Sequence, residues 1–152
     1  MSKIKKIIVI LLMCSLVMDS VIITQAKENL LIIDGSVLSE QDESYGNSRE
    51  TTRGIYYQNG TSYIGKAGTG KITAGGTTNA NMTCTVAINV IVERLENGHW
   101  YRYTSWSSSK TGTTITSSKT ITVPRGYYYR VACYHKAGTD SSGSYTNGIY
   151  ID

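Results

Sequence analysis

The stretch from Cys84 to Val92 has an apolar residue at every second position, and this pattern constrains the fold more than any other feature of the chain. Successive side chains of a β-strand point to opposite faces, so such a strand turns one face to a core. Asn97-Gly98 follows, and both residues can adopt the positive φ of a tight hairpin turn. We therefore predict a strand, a turn and an antiparallel partner. The inner face comprises Cys84, Val86, Ile88, Val90 and Val92.

The turn sets the register of the partner strand. With Asn97-Gly98 at the tip, Glu93 and Arg102 lie opposite each other as a pair of opposite charges, which favours this register. The further pairs are Glu96 with His99, Leu95 with Trp100, and Val92 with Tyr103. The register thus places Trp100, Thr104 and Trp106 on the face opposite Cys84.

The chain beyond Arg53 reads as strands throughout. Tyr, Val, Ile and Thr dominate, glycine-containing breaks recur, Pro124 is the only proline, and no window has a useful helical period. The segment "GYYYRVACYH" alternates like the first strand, with Tyr127, Tyr129, Val131 and Cys133 on its inner face. The Gly/Ser-rich segment that follows it is predicted to be a long loop. The prediction is an all-β fold, an antiparallel β-sandwich.

Three regions are expected along the chain. Residues 1–26 have the basic start, the apolar run and the small residue at the cleavage position that are typical of a secretory signal peptide, the alternative being an uncleaved membrane anchor. Residues 27–52 are acidic and are predicted to be a flexible segment, whose processing stays open. Residues 53–152 form the β-domain. We expect a secreted, extracellular protein that contacts the membrane only through the cleaved signal.

The formal net charge of +4 hides an asymmetry. Residues 27–50 hold two basic and six acidic residues, whereas residues 51–152 hold ten basic and four acidic ones. A basic domain is compatible with anionic surfaces, but its charges are scattered singly and form no stripe. Nucleic acid is therefore not an expected partner.

Two cysteines fall on the inner faces of their strands. In an exported protein, Cys84 and Cys133 are most simply explained by a disulfide bond. Buried free thiols are the alternative. A nucleophilic Cys133 beside His135 is disfavoured, because an inward thiol among apolar side chains is protonated and inaccessible.

The order of elements, a cysteine strand, a tryptophan strand across a tight turn and a second cysteine strand, resembles an immunoglobulin-like or fibronectin-type sandwich. The segments "LIIDGSVLSEQDES", "KITAGGTT", "VIVER" and "GYYYRVACYHKAGTDSSGSYTNGIYID" resemble a family of small secreted proteins of Gram-positive bacteria. The resemblance covers most of the chain after residue 26. That family is of unknown function, so the resemblance implies no activity.

Few residues suggest chemistry. His99 and His135 are far apart and no clustered ligands accompany them, so we predict no metal, no cofactor, no catalytic residues and no enzymatic activity. An aromatic face is more informative, because rings beside an arginine can stack on sugars or dock a protein. Coverage of this face by residues 30–38, or by a second copy of the chain, is the alternative. The predicted binding residues are Trp100, Trp106, Tyr128, Arg130 and Tyr134.

The sequence favours a non-enzymatic binding or interaction module for a cell-surface glycan or protein. The alternative is an antimicrobial or membrane-active secreted protein of the bacteriocin or toxin kind, because Ser105–Thr122 is rich in Ser and Thr, as are membrane-inserting hairpins. Ile115 is the only large apolar side chain between Ser107 and Thr120, which disfavours this alternative. The oligomeric state stays open.

Overall fold

The computed structural model describes residues 30–48 and 54–152, and these form nine strands and no helix, which confirms an all-β fold. The predicted signal peptide, residues 1–26, lies outside the described residues. The strands are β1 (Ile32–Ile33), β2 (Ser36–Ser39), β3 (Glu43–Asn47), β4 (Tyr57–Lys66), β5 (Lys71–Glu96), β6 (His99–Thr122), β7 (Tyr127–Ala137), β8 (Asp140–Tyr145) and β9 (Gly148–Ile151).

The strands form one mixed sheet, curled into a half-barrel, in the order β1-β2-β9-β7-β5-β4-β3, with β6 paired to β5 and β8 paired to β7. The pairing of β2 with β9 is parallel. The expected immunoglobulin-like sandwich has two separate antiparallel sheets, whereas here hydrogen bonding is continuous. The reason is that β5 and β6, of 26 and 24 residues, are long enough to run through both halves of the curl.

β5 changes partner along its length. Its first part, to Ala80, pairs with β4, and its second part, Val86 to Arg94, pairs with β7. β6 follows β5 along both parts, with a register shift between Asn79 and Cys84. The long hairpin therefore connects the two halves of the sheet.

The curl encloses an apolar core on its inner face. Val86, Ile88, Val90 and Val92 are buried, so the predicted inner face of this strand is confirmed at these four positions. In β7, Tyr129, Val131 and Cys133 are buried as predicted, but Tyr127 is exposed because it lies at the end of the strand, where the core stops. The first half of the sheet adds Ile64, Ile72 and Ala74.

Two stretches predicted to lack regular structure form strands. Within the predicted flexible segment 27–52, residues 30–48 contain β1, β2 and β3. Ser36 and Ser44 anchor this part through hydrogen bonds to the Thr146 carbonyl, at 2.8 Å, and the Asn147 N–H, at 2.9 Å. The predicted Gly/Ser loop contains β8, which pairs with β7. The serines and the glycine of β8 have small side chains, and these allow β8 to pack closely against β3 and β4.

The hairpin register is confirmed from Glu96 opposite His99 to Glu93 opposite Arg102. A bulge then intervenes, so that Val92 lies opposite Thr104 and the extra residue is Tyr103. The bulge moves every later residue of β6 by one position, and a shift of one residue changes the face on which a side chain lies. Trp106 consequently lies opposite Val90, on the inner face, and not on the predicted outer face.

The predicted Cys84–Cys133 disulfide is absent, and both thiols are free. The faces were predicted from alternation, but alternation carries no information on the offset between β5 and β7. Cys133 lies opposite Val90, so Cys84 is displaced from it by about 20 Å along β5. Cysteine Cα atoms more than about 7 Å apart cannot be bridged without moving the backbone.

The first half of the sheet packs closely over β7 at Gly76. A Cβ atom there would lie 2.3 Å from the Thr61 carbonyl oxygen and 2.8 Å from the Cys133 sulfur. The Cys133 thiol donates to the neighbouring Gly75 carbonyl, at 3.6 Å. Glycine at position 76 therefore allows the first part of β5 to pack over β7.

We expect Gly76→Ala to lower the free energy of unfolding by about 1–3 kcal/mol, because the added methyl group meets backbone as well as the thiol. Gly143→Ala is the matched control, since a Cβ there meets only the Cys133 carbonyl oxygen, at 3.7 Å. Urea denaturation of both variants measures the effect. Equal stability of the two would contradict a close approach at Gly76.

We expect the two thiols to differ in reactivity. Cys84 is half-buried and should react with iodoacetamide in the native protein. Cys133 is buried, and burial raises the pKa of its thiol to about 12, so it should react only after denaturation. Peptide mapping by mass spectrometry of non-reduced protein distinguishes the two sites. A peptide pair joined through Cys84 and Cys133 would overturn the offset between β5 and β7.

Candidate functional site

Trp100 and Arg130, two of the predicted binding residues, are engaged within the fold. The Arg130 guanidinium stacks over the Trp100 ring, with 4.6 Å from its central carbon to the ring centroid. The Trp100 indole N–H donates to the Ile33 carbonyl at 3.1 Å, and Arg130 donates to the Asp34 carbonyl at 3.2 Å. The turn between β1 and β2 therefore lies across this part of the outer face.

Arg130 also forms an ion pair inside this covered region. Its Nε lies 2.7 Å from a carboxylate oxygen of Glu93, and the two side chains are only 12% and 19% exposed. Glu93 faces Arg102 across the hairpin as predicted, yet its ion pair is with Arg130 on the other neighbouring strand. A guanidinium held by a carboxylate, a ring and a carbonyl is positioned to hold β7 to the turn between β1 and β2.

The other two rings of the predicted face are also in contact with the fold. Tyr128 packs against Tyr150, with 5.1 Å between ring centroids. Trp106, on the inner face, donates from its indole N–H to the Ser117 hydroxyl at 3.1 Å, and Lys119 lies over its ring at 5.0 Å. Trp106 thereby bridges two distant parts of β6. The five predicted residues do not form one surface.

Tyr134 is the predicted residue that remains open to solvent, with 51% of its surface exposed. It lines a shallow pocket of about 460 Å³ where the start of β4 meets β8. The other residues of this pocket, which we call the Tyr134 pocket, are Gly54, Tyr57, Asp140, Ser141, Ser142 and Gly143. The pocket combines an aromatic face with a carboxylate and two serines.

Asp140 is fixed in this pocket by the backbone. One carboxylate oxygen accepts hydrogen bonds from the N–H groups of Tyr56, at 2.6 Å, and Tyr57, at 3.1 Å. These bonds lower the pKa of the Asp140 carboxyl, so it remains an ionised acceptor. A Cβ atom at Gly54 would lie 2.2 Å from the same oxygen, so glycine is required where the chain passes the carboxylate.

His135 lies buried behind the pocket. The Thr78 hydroxyl donates to the Ala87 carbonyl at 3.1 Å, so its oxygen accepts the bond from His135 Nδ1, at 2.8 Å. Nε2 then accepts from the Ser144 hydroxyl, also at 2.8 Å. Burial lowers the pKa of His135 to about 4, so the ring is neutral near pH 7.

The hydrogen bond from Ser144 to a neutral histidine has the pattern of a nucleophile and its base, but Ser144 and His135 are both buried. A substrate carbonyl cannot reach Ser144 unless the strands around it separate. The arrangement instead joins three strands, β5, β7 and β8, around one imidazole. It fixes the floor beneath the Tyr134 pocket.

No cluster of three or more His, Cys, Asp or Glu side chains within residues 30–48 and 54–152 could hold a metal ion. Over the same ranges, the structure has no helix of the length and apolarity that a membrane crossing needs. No family model, curated protein or solved structure matches the chain.

Sequence reasoning identified Tyr134 but missed Asp140 and the backbone N–H groups that hold it. Asp140 lies in the Gly/Ser-rich segment that was predicted to be a long loop, and no role was predicted for it. A signal was nevertheless present, because an aspartate directly after Gly138-Thr139 can accept hydrogen bonds from nearby backbone N–H groups. The partners, at Tyr56 and Tyr57, are more than eighty residues away in sequence.

We expect acid to destabilise the protein through His135. An unfolded chain binds this proton near pH 6.5, whereas the folded chain binds it at about pH 4, so stability should fall as the pH decreases between these values. The loss is on the order of 3 kcal/mol at full effect. Denaturation of wild-type protein and His135→Gln, which keeps a donor and an acceptor, measures it. The same pH dependence in both would exclude His135 as the cause.

Proposed function

We propose that the protein is a non-enzymatic binding module of the cell exterior, which holds a sugar ring of a surface glycan in the Tyr134 pocket. The observation that carries this proposal is the pairing of a half-exposed tyrosine ring with a backbone-anchored, ionised carboxylate. A sugar ring offers C–H groups on its face and hydroxyl donors at its rim. An aromatic face and a fixed acceptor match both.

The protonation states in and behind the pocket support binding rather than catalysis. The lowered pKa of Asp140 suits an acceptor, since a general acid needs a raised pKa. His135, whose ring is neutral, is covered by the strands around it. Binding requires side chains in fixed positions. The hydrogen bonds from the Tyr56 and Tyr57 N–H groups fix the position of the Asp140 carboxylate.

The proposal includes export of the chain by residues 1–26, on the pattern of basic, apolar and small residues there. It also includes kinship with small secreted proteins of Gram-positive bacteria, on the segments that resemble that family. A glycan ligand is consistent with both, because an exported protein meets cell-wall and surface polysaccharides. A shallow pocket suits one or two sugar rings of a longer chain.

A glycan array should identify ligands for the folded protein, and isothermal titration should then show Tyr134→Ala weakening the best ligand by about tenfold, from loss of ring stacking. The matched control is Tyr101→Ala, since Tyr101 is 52% exposed and lies on β6, away from the pocket. Tyr101→Ala should leave affinity unchanged. An array without ligands, or affinity that survives Tyr134→Ala, would refute the proposal.

A further inference from the structure

β6 has a free edge. One side of the strand pairs with β5, and no other strand in residues 30–48 or 54–152 pairs with its second side. A 24-residue edge presents a long row of backbone N–H and C=O groups that can accept another strand. Proteins usually shorten such edges or interrupt them with proline, but Pro124 lies only after β6 has ended.

The side chains of β6 contribute little to the core, because Trp106 and Ile121 pack against it but are only partly buried. Ile115 is the one residue of this strand that is buried, and most of the others are exposed serines, threonines and charged residues. Burial therefore does not account for the length of the strand. The scarcity of apolar side chains also makes an apolar partner unsuitable for this edge.

The charges of β6 have one sign. The strand carries Arg102, Lys110 and Lys119, all exposed, and no aspartate or glutamate. Glu93, the acidic residue opposite Arg102, is instead paired with Arg130. Within the part of the chain that the structure describes, neither Arg102 nor Lys110 forms an ion pair. The edge is therefore basic along its length.

We propose that β6 is a docking strand, to whose free edge an extended acidic segment of another polypeptide adds as a further strand. Backbone hydrogen bonds to the edge supply affinity, and pairing of carboxylates with Arg102, Lys110 and Lys119 selects the partner. A second copy of this chain fits less well, because two β6 edges would place like charges side by side. This interaction is separate from glycan binding in the Tyr134 pocket.

The probe is a fluorescent peptide of about twelve residues with the repeat Thr-Thr-Glu-Glu, which has carboxylates on both faces of a strand, as β6 has basic side chains on both, and it is titrated against the exported chain by anisotropy. We expect binding that is weakened about tenfold by Arg102→Glu with Lys110→Glu. The matched control is Arg125→Glu with Lys136→Glu, an equal change of charge at exposed positions outside β6, which should retain affinity. The same peptide with every amide N-methylated should not bind, because neither of its edges can then donate to the strand ladder.

Hydrogen exchange supplies the second readout, and it does not depend on variants that fold poorly. On peptide binding, amides of β6 should become protected, while those of β8 should not change. The proposal fails if the peptide does not bind at millimolar concentration, or if the control pair weakens it equally. It also fails if the N-methylated peptide binds as well, or if the chain dimerises through β6 and excludes the peptide.

Discussion

The first part of β5 packs over β7 at Gly76, and the rest of the structure depends on this contact. Because β5 belongs to both halves of the sheet, its apolar face can be buried along both parts only if the sheet curls back on itself. The curl brings Gly76 against Cys133 and Ile88, with no room for a side chain. Once the halves meet there, Val86, Val90 and Ile72 share one core. In the described part of the chain, one curled sheet encloses that core without a second sheet or a helix.

Local patterns predicted the faces of the strands well, since a period of two depends only on neighbouring residues. Alternation along β5 identified four buried positions, and Asn97-Gly98 identified the turn and three of the four predicted residue pairs beyond it. The bulge after Glu93 escaped prediction because its cause lies elsewhere in the fold. The extra residue, Tyr103, packs edge-on against Tyr129 of β7, at 5.8 Å. A contact between strands that are not neighbours in the sheet leaves no local pattern.

The same limit explains the errors at the cysteines and at the aromatic face. Alternation places Cys84 and Cys133 on inner faces, but only the pairing of β5 with β7 determines their separation. Alternation placed Trp100 and Arg130 on the outer face, but their exposure depends on the turn between β1 and β2, which lies more than sixty residues earlier in the chain. Tyr134 is exposed because no comparable segment among residues 30–48 and 54–152 crosses its part of the face. An aromatic residue is thus a candidate for ligand binding only if its ring remains exposed once the chain has folded.

The two proposed surfaces lie on the same sheet but bind through different chemical groups. The Tyr134 pocket depends on side chains whose positions are fixed by backbone N–H groups, whereas the β6 edge depends on backbone groups that the fold leaves unpaired. Asn89 of β5 lies opposite both Tyr134 and Ser107 of β6, so the pocket and the edge strand are two strand spacings apart, about 10 Å. A strand added to β6 would lie one spacing further from Tyr134. Because β5 separates the two proposed surfaces, we expect a ligand bound at one to leave the other accessible.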